Sequence, residues 1–493
     1  MQKKTTSHSE DRFSQWSLKE LDRWNRLNLV PKHHSQDTEY LCAFFGALDV
    51  LSWFGSEVLI LVHGSAGCGL SYSGMRPCSG NSGVDRTSVF CTNLNSQHVV
   101  YGGRERLTQA LRELDEAHRP RLIVVLTNCC SYMIGEDVPG TIQSVANELS
   151  ADVLSLEVAG CDGTGFRKGA DKAFDMLFDY VAKSRTRAQR PSDSRRPSIN
   201  LFTKRVSGRP AEELDVQEIR RLLAKVDVDV NVVVRAGTSF SELSSLPNAQ
   251  ANASCCFTLG KGPLESLQRL FGQPFAPMIF PLGLESTLTW IEQITQMLGV
   301  PNTFPLDPEV EQSRKKIEQL KKAVAGRVAY IWQPGVKGLA TTIFAAELGM
   351  KPVLFGVSYY LEEQLRPTVE VLLARGLDPD LVLVGKYGLL EETSKLHIDE
   401  RPLIFMPKKF WLGEGCANVT FNMFSEALLG LRGIDTLVAA VEDALAMVGK
   451  KDYRVFNRYI ETVYKTTDWG VEKKDTMAGI DSEDLRWKRW NQV

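Results

Sequence analysis

Three cysteines in the first part of the chain stand where a sequence can place metal ligands. Cys42, Cys68 and Cys129 lie in predicted turns or directly after predicted strands, and Gly67 and Gly69 flank Cys68. Thiolates are the soft ligands that iron–sulfur clusters need, and glycines let the backbone approach a bulky inorganic group. None of the three has the Cys-x-x-Cys spacing typical of zinc sites or ferredoxins. We predict a shared iron–sulfur site, with ordinary buried cysteine as the alternative.

Composition excludes several classes of function. The chain has 493 residues, and 58 Lys+Arg against 60 Asp+Glu give a net charge of −2. This balance argues against a general nucleic-acid binder, which normally carries a basic excess. No apolar run is long enough for a membrane span, and the polar start of the chain predicts no signal peptide. We therefore expect a cytoplasmic protein, whose ten cysteines serve as ligands or catalysts rather than in disulfides.

Short apolar runs alternate with helical patterns along most of the chain, which is typical of parallel sheets buried on both faces. The predicted strands are Val58–Val62, Leu122–Leu126, Ala151–Val158, Val228–Val234, Ala253–Thr258, Phe275–Pro281, Val328–Trp332, Pro352–Phe355, Leu381–Val384 and Leu403–Phe405. The rhythm predicts an α/β fold of three Rossmann-like, doubly wound parallel-sheet domains. In such sheets the chemistry lies just beyond the carboxyl ends of the strands.

The first predicted domain boundary lies in a stretch of unusual composition. Lys183–Ser198 is rich in Arg, Ser and Pro and indicates an exposed linker, although its basic charge could also contact an acidic partner. We place α/β domains at residues 1–192, 193–323 and 324–440. Residues 441–493 carry aromatic side chains among charges, which favours a helical tail packed on the first domain or on a partner subunit.

The cysteine motifs resemble those of the component 1 subunits of nitrogenases and nitrogenase-like reductases. The resemblance rests on Cys42, on 63–68 (HGSAGC), on 98–103 (HVVYGG), and on Cys129 placed before 134–137 (IGED). The spacing of the first two cysteines is similar to the α-type subunit. The resemblance covers roughly residues 38–170 well and 230–445 more loosely.

The resemblance implies two metal clusters. Cys42, Cys68 and Cys129 match the cysteines that hold an 8Fe–7S P-cluster-type centre at the α/β subunit boundary. Cys256 matches the cysteine that anchors a large active-site cluster of the 8Fe–9S–C type, because of its spacing to a Gly-x-Pro; the adjacent Cys255 is the competing assignment.

Two further positions carry over from the family as cluster-facing residues. Arg76 matches an arginine that follows the second cysteine. Val50 matches a small apolar residue that limits substrate access. A surface arginine and a core valine are the alternative interpretations.

The chain departs from nitrogenase at two histidines. Arg432 stands where the family has a histidine ligand of the active-site cluster, and Ala170 where it has a hydrogen-bond donor to that cluster. Dinitrogen reduction is therefore not expected. Arg432 is predicted to balance charge at the cluster if it points inward, or to be a surface residue. Cys416 or His397 are candidates for the second ligand, or the cluster is held at one end only.

Among nitrogenase-like enzymes, the chain resembles the methylthio-alkane reductases. This implies an oxidoreductase that cleaves C–S bonds of small methyl sulfides to methanethiol and a hydrocarbon. It also implies an α2β2 complex with a homologous β-type subunit and electrons from an ATP-hydrolysing 4Fe–4S reductase homodimer. No Walker A motif occurs in the chain, so such ATP hydrolysis belongs to the reductase.

Three alternatives remain open. One is a subunit of a nitrogenase cofactor-assembly scaffold, and another is a nitrogenase α-subunit proper. The third, a dark-operative tetrapyrrole reductase, fits less well, because that enzyme has no large cluster at the position of Cys256.

Overall fold

The computed structural model describes residues 13–17, 19, 42–68, 89–184, 196–203, 210–276, 278–333, 335–356, 366–384, 402–406, 417–421 and 426–447. Four predictions fall elsewhere. Arg76, His397, Cys416 and the tail after Met447 lie outside the described residues.

Strands and helices alternate along the described chain. The strands are β1 (Phe13–Ser17), β2 (Val58–His63), β3 (Val89–Cys91), β4 (Leu122–Thr127), β5 (Asp152–Glu157), β6 (Ser198–Phe202), β7 (Asp229–Val234), β8 (Ala251–Ser254), β9 (Val328–Ile331), β10 (Lys351–Gly356), β11 (Asp380–Val384), β12 (Leu403–Met406) and β13 (Ala417–Thr420). The helices are α1 (Ala43–Leu51), α2 (Ser96–Tyr101), α3 (Arg104–His118), α4 (Cys129–Met133), α5 (Val138–Val145), α6 (Phe166–Ser184), α7 (Pro210–Ala224), α8 (Phe240–Ser244), α9 (Phe257–Phe271), α10 (Leu284–Leu298), α11 (Pro308–Val324), α12 (Gly335–Glu347), α13 (Arg366–Ala374) and α14 (Gly430–Met447).

The first sheet has the strand order β3-β2-β4-β5, and all of its strands are parallel. Val58 pairs with Leu122, and Leu122 pairs with Asp152, which fixes the register across three strands. β2 and β4 are buried along their whole length because their apolar side chains fill both faces of the sheet. All the strands of this sheet therefore end at one edge.

Two further sheets complete the α/β fold, which confirms the predicted class. The second has the order β7-β6-β8 and is parallel. The third has the order β1-β11-β10-β9-β12-β13 and is parallel except for β1, which runs antiparallel to β11. The predicted first domain began at residue 1, whereas β1 belongs to the third sheet. The polar sequence of β1 (FSQWS) has no apolar run that would indicate a strand.

Two predicted strands near Cys256 are wrong. Ala253–Thr258 was predicted as a strand, but β8 ends at Ser254 and α9 begins at Phe257. Phe275–Pro281 was predicted as another, but among its described residues only Phe275 makes a bridge, an isolated one to Asn252. Prolines in and around this segment lack the N–H that a strand ladder needs. The predicted linker is also shorter than expected, since its ends belong to α6 and β6.

Close helix packing connects the start of α1 to α6. A Cβ on Gly46 would lie 1.7 Å from the Phe166 carbonyl oxygen, and one on Gly169 would lie 1.8 Å from the Ala43 carbonyl oxygen. Only glycine permits two backbones to approach so closely. This contact brings Cys42, which caps the N-terminus of α1, to the loop between β5 and α6.

No helix among the described residues is both long enough and apolar enough to cross a membrane.

Candidate functional site

The loops after neighbouring strands bring the three predicted cluster cysteines to one edge of the first sheet. Cys68 lies in the helical turn at 66–68 that follows β2, and Cys129 is the first residue of α4, two residues after the end of β4. Cys42 arrives from outside the sheet, where it forms an antiparallel bridge with Gly165 in the loop after β5. All three side chains are half-buried. Parallel pairing of β2, β4 and β5 thus supplies the convergence that the sequence predicted.

Asn128 connects two of these loops. Its Oδ1 accepts a hydrogen bond from the Cys130 amide at 3.0 Å, which caps α4, and its Nδ2 donates to the Ser65 carbonyl at 3.3 Å. A Cβ on Gly64 would lie 2.0 Å from Asn128 Oδ1, so glycine is required for this contact. Ser131 adds a second connection, because its Oγ donates to the His63 carbonyl at 2.7 Å. The loops carrying Cys68 and Cys129 are therefore held in a fixed relation.

The electrostatics of Cys68 reflect how close the three thiols lie to one another. Burial raises the pKa of the Cys68 thiol, and the neighbouring Cys129 and Cys42 raise it further, against an opposing hydrogen bond with Asn128. Without metal, the Cys68 thiol therefore favours the protonated form.

Two additional cysteines lie at the same edge, and the sequence analysis assigned neither to a site. Cys91 is the last residue of β3, and its thiol contacts the Gly64 carbonyl at 3.5 Å. Cys161 lies in the loop after β5 and is exposed; partial desolvation raises the pKa of its thiol, and the neighbouring Cys129 raises it further. Both follow or end strands of the first sheet, and that position along the chain could have identified them as cysteines of this edge.

A buried histidine lies beneath the loop that leads to Cys68. His63 is fully buried, with Nδ1 3.2 Å from Thr92 Oγ1 and Nε2 3.9 Å from a carboxylate oxygen of Glu136. Burial lowers the pKa of His63, although Glu136 opposes this. The same carboxylate accepts a hydrogen bond from the Gly103 amide. The pair therefore joins the loop after β2 to the start of α3.

The donor set of this edge fits an iron–sulfur cluster better than a single metal ion. No three His, Cys, Asp or Glu side chains among the described residues are grouped so that they could hold one ion. A cluster of several irons needs thiolates spread around a larger body, and thiolates are its usual ligands. Cys42, Cys68 and Cys129 have the chemistry and the placement for that role.

Cys256, the predicted anchor of a second cluster, lies at a helix start rather than within a strand. It is buried and caps the N-terminus of α9, and its amide donates to Ser254 Oγ at 3.1 Å. Its competitor Cys255 is also buried, and its amide donates to the Phe202 carbonyl of β6. Both amides are used by the fold, so the backbone contacts do not separate the two candidates.

A small cleft lies between helices α1 and α6 and the second sheet, one helical turn from Cys256. Its lining residues are Val50, Trp53, Arg167, Ala170, Asp171, Phe174, Phe202, Thr203, Val234 and Gly260. Val50 and Ala170 were both assigned from sequence to a cluster-facing wall, and the structure brings them together in this cleft. Gly260 belongs to the turn of α9 that Cys256 begins, since its amide donates to the Cys256 carbonyl at 3.0 Å.

Arg432 was predicted either to point inward toward the cluster or to be a surface residue, and the structure places it at the surface. Its side chain is 68 % exposed, and its Nε lies 3.5 Å from Glu218 Oε2 of α7. Glu218 is buried and also accepts hydrogen bonds from the amides of Leu431 and Arg432, at 3.1 and 3.2 Å. This carboxylate fixes the start of α14, so the guanidinium lies at the surface and not in the cleft.

Exposed apolar side chains cluster at the ends of α2 and α4, near the sheet edge that carries Cys42, Cys68 and Cys129, here called the thiol edge. Val100 and Tyr101 at the end of α2 are 72 % and 88 % exposed, and Met133 at the end of α4 is 75 % exposed. The two helix ends are neighbours, because Gly103 after α2 donates its amide to Glu136 after α4. Apolar groups clustered at a surface are typical of protein interfaces.

Comparison with solved structures supports the fold. A structure titled "Nitrogenase Cp1 at pH 5" superimposes with a TM-score of 0.56 over 83 % of this chain and 88 % of that one, at 15 % identity. At this identity the likeness concerns the fold alone.

Curated relatives match over a large part of the chain. A subunit of the light-independent protochlorophyllide reductase of Leptolyngbya boryana is 26 % identical over 284 residues, 55 % of each chain. The nitrogenase iron-molybdenum cofactor biosynthesis protein NifE of Methanococcus maripaludis is 23 % identical over 325 residues, 65 % of each chain. The chain thus spans between about half and two thirds of the length of these relatives. Residues 42–392 match the family described as nitrogenase component 1 type oxidoreductase, and the chain belongs to this family.

Proposed function

We propose that this chain is the catalytic α-type subunit of a nitrogenase-like reductase that cleaves C–S bonds of small methylthio-alkanes. The observation that carries the proposal is the cleft beside Cys256. Its walls are mainly apolar, and Ala170 occupies the place of a histidine that nitrogenase requires. A small, largely apolar methyl sulfide fits such a pocket better than a large tetrapyrrole does.

The thiol edge is the proposed entry point for electrons. Cys42, Cys68 and Cys129 would hold a boundary cluster, and Cys256 would hold the active-site cluster. Bound there, these groups supply the electrons for reduction, while the protein positions them and adjusts their potential. Arg76 remains a predicted neighbour of the active-site cluster.

The side chains of the cleft itself bind and orient the substrate. Val50, Phe174 and Phe202 contribute apolar surface that holds a methyl group and excludes water. Arg167 and Asp171, one helical turn apart on α6, contribute charge on the same wall. Reductive cleavage adds a pair of electrons and a pair of protons to the sulfide, giving methanethiol and a hydrocarbon. A charged wall assists this because the departing thiolate is an anion.

The proposed partners follow from the same surface. We infer that a homologous β-type subunit and an ATP-hydrolysing 4Fe–4S reductase dimer assemble with this chain near its thiol edge. The exposed Val100, Tyr101 and Met133 support this, because an interface would remove their apolar surface from water.

The test is an assay of the purified complex with its reductase and ATP under anaerobic conditions. Dimethyl sulfide, 2-(methylthio)ethanol, dinitrogen and acetylene are offered separately, and methanethiol, hydrocarbon and ammonia are quantified. We expect methanethiol and hydrocarbon in equal amounts and no ammonia. Ammonia formation faster than hydrocarbon formation would contradict the proposal.

A cofactor-assembly scaffold is the second candidate, and the similarity to NifE favours it. A scaffold binds a cluster and releases it to another protein, whereas an enzyme retains it through many turnovers. Incubation of the loaded complex with an apo-nitrogenase component distinguishes the two. Transfer of the large cluster together with absence of methyl sulfide reduction would support the scaffold.

A further inference from the structure

Helix α7 carries three buried acidic side chains on one face. Glu212, Asp215 and Glu218 are spaced three residues apart, and each is at most 2 % exposed. Asp215 and Glu218 accept backbone amides at the start of α14. Glu212, in the first turn of α7, has a carboxylate oxygen 2.7 Å from Thr203 Oγ1, a hydrogen-bonding distance. Since a carboxyl group is costly to bury, this contact indicates a use for Glu212 outside the capping of α14.

Thr203 connects this carboxyl group to the cleft beside Cys256. It follows β6 directly and is one of the residues that line the cleft. A hydroxyl is both a donor and an acceptor, so it can take a proton on one side while it gives up its own on the other. Glu212 and Thr203 therefore form a two-step path from a buried position on α7 to the wall of the cleft.

Two ionisable side chains line the cleft itself, Arg167 and Asp171. A guanidinium does not release its proton near neutral pH. Asp171 is half-buried and lies against the backbone of α9, since a Cβ on Gly262 would be 2.2 Å from its Oδ1. A neighbouring cation favours an ionised carboxylate, and Arg167 stands one turn earlier on the same helix. Both groups suit charge balance in the cleft better than proton delivery.

We propose that Glu212 and Thr203 deliver the protons consumed in the cleft, with Glu212 as the store and Thr203 as the relay. The inference rests on the proposed reductive cleavage of a methyl sulfide, and it adds the residues that supply its protons. A neutral carboxylic acid is easier to bury than a carboxylate, which suits a group that stores a proton.

The step balances for dimethyl sulfide. One sulfide takes up two electrons from the 4Fe–4S reductase and two protons, one C–S bond breaks, and one methane and one methanethiol leave. One proton forms the new C–H bond, and the other converts the departing thiolate to methanethiol. For each proton, Thr203 gives up its hydroxyl hydrogen and takes the carboxyl hydrogen of Glu212 in its place. Glu212 regains a proton from water between the two transfers, beside the exposed side chains of Glu213 and Leu214.

The first measurement needs no turnover. Infrared spectra of the complex at neutral pH report the C=O stretch of protonated carboxyl groups, and the difference between the unmodified complex and Glu212→Gln isolates one of them. We expect this band to be lost in Glu212→Gln, to persist in the matched control Glu213→Gln, and to shift in Thr203→Val, which removes the hydroxyl. Absence of the band from the unmodified complex would overturn the inference, whatever the complex reduces.

The second measurement follows methanethiol formation from dimethyl sulfide by the complex with its reductase and ATP. Glu212→Gln should lower kcat by at least about 100-fold with KM little changed, because a positioned general acid contributes about 10²–10⁴-fold. Thr203→Val should show a similar loss, and Thr203→Ser, which keeps a hydroxyl, should recover most of it. The solvent deuterium isotope effect on kcat should increase in Glu212→Gln, whereas Glu213→Gln should match the unmodified complex in all three quantities.

The outcomes separate this inference from the proposed function. An unmodified complex that forms no methanethiol would contradict the proposed function, and the infrared band would still report on the proton of Glu212. An active complex whose Glu212→Gln variant keeps its kcat and isotope effect would overturn the relay and leave the proposed function standing. Loss of activity in Asp171→Asn but not in Glu212→Gln would also overturn it. If Glu212→Gln fails to fold, Thr203→Val and Thr203→Ser decide, because they leave α7 unchanged.

Discussion

Two regions of this molecule, the thiol edge and the start of α14, carry residues predicted to bind or face the clusters. The side chains of the first region lie together, whereas that of the second points away to the surface. At the thiol edge, Cys42, Cys68 and Cys129 converge as predicted. At the start of α14, Arg432 lies at the surface beside Glu218. In the first region, strand register determines position. In the second, a buried carboxylate on another helix determines the direction in which the side chain points.

The difference shows what spacing along a chain can establish. Loops that follow parallel strands meet at one edge whatever their sequence, so a cysteine placed there is near the others. A side chain at a helix start has no such constraint. Glu218 and the buried Asp215 accept the amides of residues 428, 429, 431 and 432, and this capping fixes the turn.

The largest expected effect is loss of a ligand at the thiol edge. Cys68→Ala should remove the boundary-cluster EPR signal and reduce activity by more than about 100-fold, because loss of a residue that only supports a metal ligand already costs about 10–100-fold. Iron analysis and EPR of the purified complex measure this. Cys130→Ala is the matched control, since its thiol has no proposed ligand role. Full iron content and activity in Cys68→Ala, Cys42→Ala and Cys129→Ala alike would exclude the site.

The next largest effect distinguishes which of the two adjacent cysteines before α9 binds the active-site cluster. Cys256→Ala should remove the large active-site cluster while leaving the boundary cluster in place, as measured by metal analysis and EPR. Cys255→Ala, equally buried, should retain both clusters and lose only packing, at a cost of about 1–2 kcal/mol. If Cys255→Ala loses the large cluster and Cys256→Ala keeps it, the assignment is reversed.

A smaller effect tests the α7–α14 contact. Glu218→Ala should lower the free energy of unfolding by about 3 kcal/mol, because it leaves the amides of Leu431 and Arg432 without their acceptor and removes one of the two carboxylates that pair with Arg221. Arg432→Ala should cost no more than about 0.5 kcal/mol, since its ion pair is mostly exposed. Urea unfolding of both variants measures the two costs. Equal costs would show that Arg432 contributes more than a surface pair.

The smallest effect concerns a third carboxylate that fixes a helix start. Glu347 accepts hydrogen bonds from the amides of Leu284 and Glu285 at the N-terminus of α10, at 3.2 and 2.9 Å. Burial raises its pKa to about 8, against the lowering effect of the hydrogen bonds from the Glu285 and Leu284 amides. Because the folded protein then binds a proton more tightly than the unfolded chain, the stabilisation is fully present below the ordinary glutamate pKa. It is lost as pH rises toward about 8.

The free energy of unfolding should therefore fall as pH rises from 5 to 8, as far as this group contributes. Glu347→Gln, which cannot titrate, should make that decline shallower, and urea unfolding across this pH range measures it. A steeper decline in the variant would contradict a raised pKa for Glu347 in the folded protein.

Much of the fold could be predicted from sequence because its strands are short, apolar and regular. β2 and β4 were predicted within one residue of their observed ends. The polar β1 and the three-residue β3 escaped prediction, because neither has enough apolar residues to form a pattern. Ala253–Thr258 failed for another reason. Its small and apolar residues suit a strand and a buried helix start equally, and packing decided between them.

The sequence by itself determined the α/β class, the edge at which the cysteines meet and the family, because periodicity and motif spacing are local properties. Only the tertiary structure decided that Arg432 lies at the surface, that Cys256 precedes a helix and that Val50 and Ala170 line one cleft. Each of these depends on groups far apart in sequence that meet through packing. Since any of many distant residues could have filled those places, no spacing along the chain could specify them.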